Sequence, residues 1–174
     1  REEPVNALQY SITEGYPKLR EWLKDDLTNK GLFREGDQVV ITSGAQQAIE
    51  TTAKILCNEG DVIICEDPAF VGSLNAFRSY GVRLAGVPMD DDGMIPARLE
   101  EALKANPTTK FIYTIPNFQN PTGRTTTLAR RREILALAEK YGVYILEDNP
   151  YGALRFAGED VPSIKELDAK GSVL

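Results

Sequence analysis

The chain contains no histidine and only two cysteines. Without an imidazole it cannot build a Ser-His-Asp or Cys-His catalytic site, or a zinc site that needs histidine. Cys57 and Cys65 are not in a CxxC spacing, so we expect reduced thiols rather than a disulfide or a redox pair. No GxxxxGK[ST] motif occurs, which disfavours phosphoryl transfer on a P-loop, and no metal site is expected.

Long apolar runs and an excess of positive charge are missing as well. No apolar run approaches the roughly 20 residues that span a bilayer, and no basic segment followed by an apolar one opens the chain. The formal net charge of −6 disfavours nucleic acid or an anionic membrane as a partner. We expect a cytoplasmic protein with neither kind of partner.

The residues that are present are ordinary for one globular domain. Of 174 residues, 42% are hydrophobic and 26% are charged, which allows a substantial core. The chain opens at Arg1 without a methionine, and residues 171–174 look like a strand that is just beginning. We therefore expect a piece of a longer protein.

Strand-like and helix-like segments alternate along the chain. Strands are expected at 39–42, 62–65, 83–87, 110–115 and 143–146, and helices at 17–29, 45–56, 70–80, 96–105 and 128–141. The strands are continuous apolar runs, as in strands that are buried on both faces. This pattern predicts an α/β fold of three layers, with helices on both faces of a mostly parallel sheet. Ligands of such sheets bind beyond the carboxyl ends of the strands.

The segment after the first predicted strand could bind an anion. Ser43-Gly44-Ala45-Gln46 gives a tight turn and then a helix start, where free N–H groups attract negative charge. An ordinary turn capped by Ser43 is the alternative. Phe70 follows the next strand and could stack on a flat ring, or it could simply belong to the core.

Two further strand ends carry polar groups. The loop from Pro116 to Gly123 is rich in Asn, Pro and Gly, and it could hold the Asn120 amide against a phenolate oxygen; a plain turn is the alternative. Asp148 follows an apolar strand, so its carboxylate is expected to be partly buried and to need a partner such as a pyridinium N–H. A helix-capping or surface Asp is the alternative there. The run at 130–132 is interpreted as a solvated helix face.

These segments resemble a known family. Residues 43–47, 66–70, 116–123 and 147–151 occur in the same order as in fold-type I pyridoxal-phosphate aminotransferases of class I and II. The chain is most similar to the branch that contains the 2-aminoadipate and kynurenine aminotransferases, which residues 8–11 and 14–20 also resemble. The resemblance implies the large domain of a pyridoxal-phosphate-dependent transferase.

The resemblance implies a catalytic set of three residues. Asp148 would pair with the ring nitrogen of pyridoxal 5′-phosphate, and Asn120 and Tyr151 would hydrogen-bond the 3-oxygen of the ring. These three residues would thus both bind the cofactor and support its chemistry.

Other positions would bind the cofactor or the substrate. The resemblance implies that the N–H groups of Ala45 and Gln46 bind the cofactor phosphate and that Phe70 stacks on the ring. Tyr10 would reach the phosphate site of the partner subunit in a homodimer. Asn117 would contact the substrate.

The implied reaction exchanges an amino group between an amino acid and a 2-oxo acid such as 2-oxoglutarate. The amino acid would be of the 2-aminoadipate, aromatic or branched-chain type. In the family, the Schiff-base lysine follows the strand that begins here at 172–174, and no lysine of this chain has that context. Residues 1–174 are thus expected to be a partial large domain that is inactive alone, without the N-terminal arm, the lysine segment and the small C-terminal domain.

Two other functions stay open. One is the aminotransferase-like effector domain of a winged-helix transcriptional regulator. Such domains tend to replace the first Asn of the 116–123 motif and to carry Asp-Asp-Tyr at the last motif, so Asn117 and Asn149-Pro150 favour the enzyme. The other is a non-catalytic α/β interaction module.

Overall fold

A computed structural model describes residue 4 and residues 8–174, and it divides the chain into two units, up to Gly44 and from Ala45 to Leu174. In the first unit, helix α1 (Pro17–Asn29) lies where it was predicted, with proline in its first turn. The predicted strand at 39–42 is wrong. The Val39 carbonyl accepts from Arg20 Nε at 2.7 Å, and Ile41 N–H donates to the Glu14 carbonyl at 2.9 Å. A strand needs a second strand that pairs with it residue after residue, and among the described residues this segment has only these separate contacts.

The second unit alternates strands and helices nearly as predicted. Its elements are α2 (Ala45–Leu56), β1 (Val62–Asp67), α3 (Val71–Ser79), β2 (Arg83–Asp90), β3 (Gly93–Met94), α4 (Pro96–Ala105), β4 (Thr109–Thr114), α5 (Leu128–Tyr141), β5 (Tyr144–Glu147), a 3-10 turn (Gly152–Leu154) and α6 (Ile164–Leu167). Helix α5 shows why the predicted bounds hold. The Thr127 side chain caps its start, and Gly142 ends it with φ +65°.

The sheet has five strands in the order β3-β2-β1-β4-β5. Strand β1 runs parallel to β2 and β4, and β4 runs parallel to β5, while the short β3 is antiparallel to β2. Beyond β5, Val173 forms a parallel bridge with Ile145, so the strand-like end of the chain does pair with the sheet. The predicted α/β class with a mostly parallel sheet is confirmed. Because β1, β4 and β5 are parallel, their carboxyl ends lie at one edge.

Helices cover both faces of this sheet. On what we call the α4–α6 face, strand residues such as Ile64 and Ile145 pack with Leu99 and Ile134. On the opposite α2–α3 face, strand residues such as Phe111 and Tyr113 pack with helix residues including Ile49 and Phe77. Successive strand residues alternate between the faces, so each face is a separate apolar layer. Among the described residues, no helix is long and apolar enough to cross a membrane.

Candidate active site

A cavity of about 140 Å³ lies at the carboxyl edge of the sheet. Its walls come from the start of α2, the segment after β1, the loop after β4 and the segment after β5. It brings together all of the predicted cofactor residues that belong to the second unit: Ala45, Gln46, Phe70, Asn120, Asp148 and Tyr151.

Asp148 brings a carboxylate to this cavity. Its backbone N–H donates to the Thr114 carbonyl at 2.9 Å, which continues the pairing of β4 and β5 by one residue. Its Oδ2 accepts from the Tyr113 hydroxyl at 2.8 Å, and that hydroxyl accepts from Ser73 Oγ, also at 2.8 Å. Burial raises the pKa of Asp148, and the hydrogen bond from Tyr113 lowers it. Burial also raises the pKa of Tyr113, so Tyr113 stays a donor.

One oxygen of Asp148 is left for a ligand. Among residues 8–174, no side chain or backbone group donates to Oδ1, and no Lys or Arg pairs with this carboxylate. A half-buried carboxylate without a cation is stabilised by a charged N–H donor. Asp148 is therefore suited to a ligand that presents such a donor.

Asn120 and Tyr151 converge at the same cavity. Asn120 Nδ2 lies 3.5 Å from Tyr151 Oη, at the outer limit of a hydrogen bond. An amide N–H and a phenol O–H this close can both donate to a single ligand oxygen. The two side chains come from different loops, and only the fold places them together.

The start of α2 faces the cavity with free backbone donors. Ala45 and Gln46 are the first residues of this 12-residue helix, and no acidic side chain lies in its first turn. Their N–H groups have no acceptor within the helix and lie at the positive end of its dipole. Gly44 just before them has φ +85°, a conformation that glycine adopts without strain. This end of the helix is suited to an anionic group.

Phe70 forms a wall of the cavity. The position of its ring depends on Gly72, which was not among the residues predicted for the site. A Cβ placed on Gly72 would lie 2.6 Å from Phe70 Cζ, so a larger residue there would push the ring away. Gly72 is the second residue of α3, and an isolated glycine in a helical pattern was the available signal.

Asn117 does not line the cavity. It is buried, its Oδ1 accepts from Arg131 Nη2 at 2.7 Å, and its Nδ2 donates to Asn149 Oδ1 at 2.8 Å. Its amide thus ties the loop after β4 to the loop after β5. The substrate contact of Asn117 stays a prediction.

The prediction that residues 130–132 form a solvated helix face is wrong for Arg131. Arg131 is fully buried and donates to the carbonyls of Pro116, Thr126, Val161 and Pro162 as well as to Asn117. Five acceptors replace the water that a surface arginine would have. Its spacing of three, four and seven residues from the core residues of α5 is the signal that could have placed it inside.

Tyr10 lies in the first unit and is fully exposed. Its contact with a partner subunit stays a prediction. No group of three or more Cys, Asp or Glu side chains that could hold a metal ion is found in the part of the chain that the structure describes.

A second cavity, of about 400 Å³, adjoins the first and shares Asn120 and Tyr151 with it. Its walls are mostly apolar and are formed by residues such as Phe118, Leu154 and Phe156. The polar groups of the first cavity therefore lie next to a surface that suits an apolar group.

The family model for aminotransferases of class I and II matches residues 2–174. The chain is 39% identical, over 96% of its length, to the 2-aminoadipate transaminase of Thermus thermophilus, of which it covers 41%. It is 36% identical, over 98% of its length, to an uncharacterised HTH-type transcriptional regulator of Bacillus subtilis, of which it covers 35%. The crystal structure of Pyrococcus horikoshii kynurenine aminotransferase superimposes with a TM-score of 0.92 at 38% identity, over 99% of this chain and 44% of that one. The chain thus spans less than half the length of these relatives.

The cavity fits the cofactor that such enzymes bind. The structure of the Pyrococcus horikoshii relative is a complex with the pyridoxamine form, PMP. The unpaired oxygen of Asp148 suits a ring N–H, the pair of Asn120 and Tyr151 suits a ring oxygen, and the start of α2 suits a phosphate. The chain therefore belongs to the class I and II aminotransferase family, in the branch of the 2-aminoadipate and kynurenine aminotransferases, and its cofactor is pyridoxal 5′-phosphate.

Proposed function

We propose that this chain is part of the large domain of an aminotransferase that exchanges an amino group between an amino acid and a 2-oxo acid such as 2-oxoglutarate. The observation that carries the proposal is the half-buried carboxylate of Asp148, which has one oxygen free in a cavity shared with Phe70, Asn120 and Tyr151.

Each residue has a role that follows from its chemistry. Asp148 holds a proton on the ring nitrogen by charge pairing, and Tyr113 keeps the carboxylate oriented. Asn120 and Tyr151 donate to the ring oxygen, and Phe70 excludes water from one side of the ring. When bound, pyridoxal phosphate supplies the carbonyl that takes the amino group and the ring that takes up electrons.

The second cavity supports an apolar substrate side chain. Phe118, Leu154 and Phe156 offer apolar area directly beside Asn120 and Tyr151. We therefore favour aromatic or branched-chain amino acids over 2-aminoadipate, whose side chain ends in a carboxylate.

We also infer a cytoplasmic homodimer in which Tyr10 reaches the site of the partner subunit.

The second candidate function is the effector domain of a winged-helix regulator, which the likeness to the HTH-type regulator supports. Asn117, Asn149 and Pro150 favour the enzyme, because such domains tend to differ at these positions. A regulator would keep the cofactor cavity and use it to sense a ligand.

The test is an assay of the purified full-length protein with a panel of amino acids and 2-oxoglutarate. We expect turnover, fastest with aromatic or branched-chain substrates, and none when Asp148→Ala replaces the wild type. A protein that binds the cofactor and a specific DNA fragment but transfers no amino group would overturn the enzyme proposal.

A further inference from the structure

A buried carboxylate that the proposed chemistry does not use lies close to the cavity. Glu66, in β1, is 2% exposed. Its Oε1 accepts from Thr114 Oγ1 at 2.5 Å, and its Oε2 accepts from the backbone N–H of Ile115 at 3.3 Å and from Gln119 Nε2 at 3.0 Å. No described Lys or Arg pairs with it. Three neutral donors therefore take the place of a cation.

Gln119 is the partner that connects Glu66 to the site. It is 1% exposed, and each of the two polar atoms of its side chain makes two hydrogen bonds. Nε2 donates to Glu66 and, at 2.8 Å, to the Pro68 carbonyl, while Oε1 accepts from Thr122 N–H at 3.0 Å and from Thr122 Oγ1 at 2.6 Å. One amide thus joins the end of β1, the segment that leads to Phe70 and the turn that carries Asn120.

We propose that Glu66 and Gln119 are positioning residues that hold Asn120 and Phe70 at the separation that the cofactor ring requires. Asn120 directly follows Gln119, and Phe70 lies two residues after Pro68, so both site residues belong to segments that the Gln119 amide fixes. Neither Glu66 nor Gln119 lines the 140 Å³ cavity of the cofactor residues, so they act on it through the two segments; Gln119 lines only the adjoining 400 Å³ cavity. The inference rests on the proposed function only in that the cavity binds the cofactor.

The hydrogen bonds explain why this position needs a carboxyl or amide group. Replacing Glu66 by leucine would leave three donors without an acceptor. A glutamine could place its oxygen where Oε2 lies and donate its N–H to Thr114 Oγ1, because a hydroxyl also accepts. Glu66→Gln therefore preserves the contacts, whereas Glu66→Leu removes all of them.

The experiment measures the affinity of the cofactor-free, full-length protein for pyridoxamine phosphate by calorimetry. It also records the circular dichroism that the bound cofactor acquires and the melting temperature of each variant. Glu66→Leu should weaken binding by about tenfold or more and reduce the induced dichroism, and Glu66→Gln should restore both to within about threefold of wild type.

Glu147→Leu is the matched control. Glu147 is also a carboxylate at the carboxyl end of a parallel strand, β5, where it is half-buried, but its oxygens accept from the N–H groups of Ile164 and Lys165, away from the cavity. This variant should lower the melting temperature and leave affinity and dichroism unchanged. Equal loss of affinity in the Glu147→Leu and Glu66→Leu variants would overturn the positioning role, as would wild-type affinity in Glu66→Leu.

A second variant keeps the inference testable if Glu66→Leu does not fold. Gln119→Met has similar length, removes every hydrogen bond of the amide and leaves Glu66 its two other donors. It should weaken binding of pyridoxamine phosphate as strongly as expected for Glu66→Leu, and unchanged binding would refute the inference. If the wild type itself does not bind pyridoxamine phosphate, the proposed function fails instead.

Discussion

Each face of the sheet carries the same kind of hydrogen bond near the carboxyl ends of its strands. In both cases a carboxylate accepts from the hydroxyl group of a residue on a neighbouring strand. On the α2–α3 face, Asp148 accepts from Tyr113, and on the α4–α6 face, Glu66 accepts from Thr114. Burial raises the pKa of both carboxyl groups. Asp148 keeps one oxygen free at a cavity, whereas both oxygens of Glu66 are used by the protein. The free oxygen is what distinguishes a ligand-binding carboxylate from one that holds the backbone together.

The largest effect is expected from replacing Asp148, the carboxylate at the cavity. In the full-length protein, Asp148→Ala removes the partner of the ring nitrogen, so kcat/KM should fall by about a thousandfold, while binding through the phosphate remains. Steady-state kinetics and cofactor titration measure the two effects. Asp91→Ala, at a side chain that is 99% exposed, is the control and should be neutral. Near-normal transamination by Asp148→Ala would contradict the assignment.

The second prediction is that replacing Arg131, which is buried on the α4–α6 face, mainly lowers the stability of the protein. Arg131→Met removes the donor of five hydrogen bonds, three of them buried and two part-buried, so the free energy of unfolding should fall by about 3–5 kcal/mol. Urea unfolding of the full-length protein measures this change. Arg132→Met, next to it and exposed, should change stability by less than about 0.5 kcal/mol. A similar loss in both variants would show that burial of Arg131 is not the cause.

The third prediction concerns the pH dependence of stability. Burial, and to a lesser extent the charge of Asp148, raises the pKa of Glu66 from 4.5 to about 7 in the folded protein. Between these values the folded state holds a proton that the unfolded chain has lost. The free energy of unfolding therefore falls as pH rises from about 4.5 to about 7, by no more than about 3 kcal/mol, and the contribution is constant outside that window.

The titratable groups that interact electrostatically with Glu66 are Asp148, Tyr113 and Cys65, and none of them is a cation. Glu66→Gln should flatten the slope of stability against pH, and the exposed control Glu133→Gln should keep it. Chemical denaturation at about pH 5 and about pH 8 measures the difference. An unchanged slope in Glu66→Gln would mean that Glu66 stays ionised throughout.

The smallest effect is expected from Gly72→Ala on the α2–α3 face, which should change cofactor binding without lowering stability. Gly72→Ala should favour helix α3 by up to about 1 kcal/mol, yet its Cβ would displace the Phe70 ring. We expect an equal or higher melting temperature together with about threefold to tenfold weaker binding of pyridoxamine phosphate. Asn75→Ala, exposed in the same helix, should leave binding unchanged. Weaker binding in both variants would point to the helix rather than to the ring.

Local pattern was enough to predict most elements and much of the site. Continuous apolar runs, with proline and glycine at their ends, placed β1, β4, β5 and α5 within a few residues. Since parallel strands end at one edge, the residues after them were expected to meet, and Phe70, Asn120 and Asp148 do line one cavity. The strand expected at 39–42 failed because strand pairing depends on residues far away in the sequence.

The sequence by itself determined where strands and helices alternate, since apolar periodicity and backbone-restricting residues act over a few positions. It also determined which polar groups follow each strand. Only the tertiary structure decided that Arg131, Glu66 and Gln119 are buried. A polar residue has the same letter on a surface as in a core, and its burial depends on donors and acceptors that distant segments bring to it.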